Sequence, residues 1–127
     1  MKPLSRFIIV YAVLIFISVI FLIPFCGWMY QCGCTFLWAG ADRFCNIHHT
    51  EEPHCPWCQA GEKPLSAAPL GFAIFVVPAI PMYLVNKKEN VSLLKLFVVG
   101  FLLFVVAAII SGYIFKLIYD YPHFFFK

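Results

Sequence analysis

All six cysteines of the chain, at positions 26, 32, 34, 45, 55 and 58, fall in one short stretch with three of its four histidines. Within it, Cys45-Asn46-Ile47-His48 and Cys55-Pro56-Trp57-Cys58 share one spacing, two residues between the outer donors. Such a pair can grip a metal ion from a single turn of chain, and two pairs make the closed tetrahedral set that structural zinc prefers. The spacing therefore nominates Cys45, His48, Cys55 and Cys58 as a metal site, with His49, His54, Cys32 and Cys34 as further donors. Proline at the second position of the Cys55–Cys58 turn presets the backbone and folds one thiol towards the other. Zinc suits a structural role, and copper competes with it because thiolate and imidazole suit both.

Other chemistry is open to the same residues. Six cysteines in an oxidising compartment also read as a disulfide framework, whose pairing spacing alone does not choose. Cys55-Pro56-Trp57-Cys58 has the outline of a thiol–disulfide redox motif. Those motifs are activated at a helix N-terminus, and the run Gln59 to Pro64 is too short and broken to supply a helix. No haem is expected. Gln59 stands where covalent attachment needs a histidine, and the apolar segments hold no axial ligand. The segment from Thr35 to Phe44 reads as a short amphipathic helix lying on a membrane, which would hold Cys34 and Cys45 about 16 Å apart.

The elements that must position these donors are apolar. Hydrophobic residues make up 63% of the 127-residue chain and charged ones 12%, with 15 phenylalanines; an ordinary soluble domain has about 45–50% and about 25%. A small domain hides only about two thirds of the surface its unfolded chain exposes. A soluble enzyme is therefore excluded, and a net charge of +3, scattered along the chain, is no footprint for nucleic acid.

The expectation is an all-α integral membrane protein with three transmembrane helices and a Cys/His-rich exoplasmic loop between helices 1 and 2. Residues 1–25 would form a cytoplasmic N-terminus and the first span, whose stretch from Phe7 to Phe25 carries no charge. That stretch reads as a retained anchor, because it is long for a signal peptide and no small-residue cleavage site follows. Residues 26–66 would be the exoplasmic loop and 67–85 a second span, kinked by Pro78 and Pro81. A cytoplasmic turn at 86–92 leads into a third span, 93–119, and an exoplasmic aromatic tail, 120–127. Ala107/Ser111 and Ala108/Gly112 give the third span two small-residue steps through which a neighbouring helix can approach.

Lys2, Arg6, Lys87, Lys88 and Lys95 gather on one side of this plan. By the positive-inside rule that side is the cytoplasm, and the membrane is an inner or plasma membrane. The spans hold no carboxylate, cysteine or histidine, so no catalytic constellation lies within them. The function expected is not enzymatic. It is that of a small accessory or structural subunit of a larger membrane complex, its loop stapled by metal or disulfides, with the bilayer and other membrane subunits as partners. Delivery of copper or zinc to a membrane metalloenzyme is the alternative, and thiol–disulfide exchange through Cys55 and Cys58 a second one.

Overall fold

The computed structural model describes residues 2–32, 54–56, 59, 64–88 and 91–126. Among these, every regular element is an α-helix, and an isolated bridge pairs Phe124 with Phe126.

Helix α1 spans Pro3–Tyr30, 28 residues. Proline at its start suits the first turn, where a backbone N–H would be unpaired anyway. The apolar run then continues without a breaker as far as Pro24, which the helix passes through. It stops at Gln31, a left-handed residue with φ 53°, whose side-chain amide donates to the Trp28 carbonyl at 2.7 Å. At 1.5 Å per residue α1 is about 42 Å long, more than the roughly 30 Å of a hydrocarbon core. A span of about 20 residues from Phe7 ends near Phe25, so the excess carries Cys26, Trp28, Met29 and Tyr30 beyond it.

Helix α2, Pro64–Val76, and helix α3, Ala79–Lys88, occupy the expected second span and its flanks. They are separate helices of 13 and 10 residues, each too short to cross a bilayer alone. The break falls at Pro78, which has no N–H to donate. The Val77 N–H still reaches the Ala73 carbonyl, and hydrogen bonding resumes from the Met82 N–H to the Pro78 carbonyl. Pro81 falls in the first turn of α3, where it interrupts nothing.

Helix α4, Leu93–Ile118, has 26 residues. Ser92 caps it by accepting from the Lys95 N–H. Among the described residues two helices, α1 over Pro3–Leu22 and α4, are each long and apolar enough to cross a membrane.

The two long helices pack along each other, and the α2–α3 pair leans on both. Gly100 sits under Leu14 and Met82, and a methyl group at Gly112 would fall 2.6 Å from the Met29 Sδ. Of the small residues expected to form a packing face, Ala108, Ser111 and Gly112 are buried. The neighbour of Gly112 is α1 of the same chain, through Met29 and Tyr30. The outward faces stay apolar, with Phe16, Phe72, Leu94 and Leu117 all exposed; such a surface is matched by lipid rather than water.

Beyond α4 the chain turns at Asp120, φ 49°, and the tail folds across the end of α1. The Phe125 N–H donates to the Met29 carbonyl at 2.6 Å. Trp28 meets the Phe125 ring edge-on, and Tyr30 meets Tyr121 the same way. The aromatic tail is thus a packed part of the molecule, with Tyr121 only 2% exposed.

Candidate metal centre

Cys26 lies near the C-terminal end of α1, and Cys32 follows directly after the reversal at Gln31. Cys55 arrives from distant chain and begins a helical turn. Pro56 occupies its first position and the Gln59 N–H donates to the Cys55 carbonyl at 3.0 Å. The Gln59 side chain also holds the His54 carbonyl, at 2.9 Å.

These elements bring the sulfurs of Cys26, Cys32 and Cys55 within 4.8 Å of one another. All three are buried, Cys32 and Cys55 completely. No disulfide joins any two of them; Cys26 and Cys55 stand 3.7 Å apart at Sγ, against about 2.05 Å for an S–S bond. The Cys32 sulfur is 4.0 Å from the Cys26 carbonyl oxygen.

The walls are Met29, Tyr30 and Tyr121, all buried, with Phe25, Phe124 and Phe125 packed around them. Tyr30 donates its phenolic hydrogen to the Gly112 carbonyl at 2.6 Å, tying the sulfur cluster to α4. Burial, and after it the neighbouring groups of Cys26, Cys55, Cys32 and Tyr121, push the Tyr30 phenol well above its ordinary pKa. The shift favours the protonated phenol that donates to Gly112.

Three thiols in an apolar, water-excluding site have a restricted chemistry. Protonated, they are small weakly polar groups. Three thiolates would repel one another in a low dielectric unless a cation sat between them. Two sulfurs each about 2.3 Å from a tetrahedral ion stand about 3.8 Å apart, close to the Cys26–Cys55 separation. Soft ions of the zinc and copper(I) class are the ones that thiolates select.

Of the residues nominated from spacing, Cys55 and Cys32 belong to this group. His54 lies next to Cys55 in the chain, with its Nδ1 buried and without a hydrogen-bond partner. Cys34, Cys45, His48, His49 and Cys58 lie outside the described residues, as does the segment from Thr35 to Phe44. Cys26, which pairwise spacing did not nominate, is the third member. Its signal was available in one respect: Cys26 and Cys32 bracket the place where α1 must end. Searches of known protein families, of curated proteins and of solved structures find no match to the chain.

Proposed function

We propose that the chain is a three-pass membrane protein acting as a small accessory subunit. Its exoplasmic end is a cap held closed by a thiolate-bound metal ion of the zinc or copper class. The observation that carries this reading is the buried sulfur group of Cys26, Cys32 and Cys55 beneath the folded-back tail. A site buried among rings suits a staple better than a catalyst. The broken α2–α3 pair would make the middle pass, antiparallel to α1. Lys2, Arg6, Lys87, Lys88 and Lys95 would then face the cytoplasm. Cys58, at two-residue spacing from Cys55, is the first candidate for a fourth ligand.

The test is metal analysis and X-ray absorption on protein extracted in mild detergent. The expected result is one ion per chain with sulfur neighbours at about 2.3 Å. Cys26→Ser and Cys55→Ser should each abolish stoichiometric loading. Metal-free protein with a Cys26–Cys55 disulfide would replace the metal staple by a covalent one. A reporter inserted at Asn90 should be cytoplasmic and one fused after Lys127 exoplasmic; the reverse pattern would invert the topology.

Metal delivery is the second reading. It is favoured by the number of donors, since three sulfurs leave one position of a tetrahedral ion for an exchanging ligand. A competing chelator separates the two. A staple should release its ion only as the cap unfolds, whereas a carrier should release it from folded protein.

A further inference from the structure

At the opposite end of the bundle, Lys2, Arg6, Lys87, Lys88 and Lys95 converge from the start of α1, the end of α3 and the start of α4. Two hydrogen bonds pin these segments together. The Arg6 guanidinium donates to the Val91 carbonyl at 2.5 Å, and the Asn86 amide donates to the Pro3 carbonyl at 2.7 Å. Asn86 and Val91 are buried, while the four lysines are exposed. The cations are thus held around a fixed floor.

Lys2, Arg6, Lys87, Lys88 and Lys95 outnumber Glu89, the acidic residue that the sequence places between α3 and α4. Asp120 follows α4 at the sulfur end. Arg6 is also on the unfavourable side of a helix dipole, near the start of α1, whose first turn contains no acidic residue. An anion seated here would relieve both the mutual repulsion and the dipole.

We propose that this end binds the phosphate of an anionic phospholipid. The Arg6 guanidinium supplies a planar fork of donors, of which one reaches Val91, and forks of this kind grip phosphate in a bidentate manner. The lysines add charge around it. A lipid, rather than a free anion, is indicated by the apolar side chains that border the cations. Leu4, Leu84, Leu93 and Leu94 are all exposed, so the ligand that fits both surfaces carries acyl chains beneath an anionic head. This assignment rests on the membrane-spanning reading of the chain.

The experiment places the purified full chain in bilayer discs of phosphatidylcholine, alone or mixed with phosphatidylglycerol, and measures lipid retained on release by native mass spectrometry. Selective retention of phosphatidylglycerol is expected. Lys87→Gln should weaken that retention about five-fold, the worth of one cation near an anionic surface. Arg6→Lys should weaken it comparably while keeping its charge and therefore the topology signal, which a purely topogenic role would not predict. Equal retention of both lipids, or retention unaltered in both variants, would overturn the proposal. So would displacement of the lipid by inorganic phosphate at matched concentration, which would make the ligand a free anion. Extraction of the chain from membranes by alkaline carbonate would overturn the membrane reading itself. An embedded chain with no lipid preference would overturn only the headgroup site.

Discussion

At the cation-rich end, Arg6 and Asn86 close the bundle with two N–H donors on backbone carbonyls, and the lysines around them remain exposed. At the sulfur end the closing groups are rings and thiols: Tyr30, Tyr121, Met29, Cys26, Cys32 and Cys55 are all buried. The first closure is polar and partly wet, so its strength lies in a few directed bonds. The second is close-packed, so its strength is spread over many weak contacts and depends on volume. Substitutions at the sulfur end should therefore be costly when they change size. At the cation-rich end they should be mild, and costly only where a hydrogen bond is lost.

The largest effect is expected at Tyr121. Its ring fills space against Tyr30 and, through the tail, covers the sulfur cluster. Tyr121→Ala should cost about 3–5 kcal/mol, the range for emptying a buried aromatic site. It should also speed modification of Cys26 by a maleimide in metal-free protein. Denaturation in mixed micelles gives the first quantity and mass-resolved labelling the second. A loss under about 1 kcal/mol would mean that the tail rests on the cap without supporting it.

Next comes Gly112, where α4 packs against Met29 and Tyr30 of α1. Any side chain there meets Met29 and the Tyr30 hydroxyl. Gly112→Leu should cost about 1–3 kcal/mol by overpacking and lower metal retention by displacing Tyr30. Gly71 is the control, with nothing within 4 Å of an added methyl group. Gly71→Ala should stabilise by up to about 1 kcal/mol through helix propensity alone. Similar unfolding midpoints for the two variants would remove the argument that volume governs the sulfur end.

The two ends also differed in how legible they were. Charge patterning located the cation-rich end directly, because lysine and arginine avoid lipid and collect beyond the apolar runs. The break at Pro78 was legible for an equally local reason, a missing donor. At the sulfur end, the density of cysteines marked the stretch that holds Cys32 and Cys55, and pairwise spacing, which selects donors sharing one turn, passes over Cys26. Cys26 and Cys55 meet across 29 residues, and Cys26 and Cys32 are joined only because a non-glycine residue, Gln31, adopts φ 53°. No composition signal marks such a reversal. The tail was ambiguous for a different reason: Phe and Tyr fit a membrane interface and an intramolecular cap equally well.

A smaller effect should follow from Asn86→Ala. The substitution removes the donor to the Pro3 carbonyl, and one such bond is worth about 0.5–1.5 kcal/mol net. The same denaturation measurement reads it. A cost above about 3 kcal/mol would show that packing, rather than the bond, holds this end together, and would erase the contrast with Tyr121.

Ser92 provides the finest discrimination. Its hydroxyl accepts from the Lys95 N–H and caps α4, so Ser92→Ala should cost about 0.5–2 kcal/mol. Ser92→Asp keeps an acceptor in the same place and adds a negative charge at the positive end of the helix. The sign of the change should therefore reverse, to a gain of about 0.3–1 kcal/mol at low ionic strength. Added salt should erode that gain, because the group is exposed and screened. The introduced carboxylate should also compete with the anionic headgroup for the same cations, so the gain should be larger in phosphatidylcholine than in phosphatidylglycerol. If both variants lose stability equally and neither responds to salt, electrostatics does not govern the cation-rich end, and its closure rests on packing as the sulfur end does.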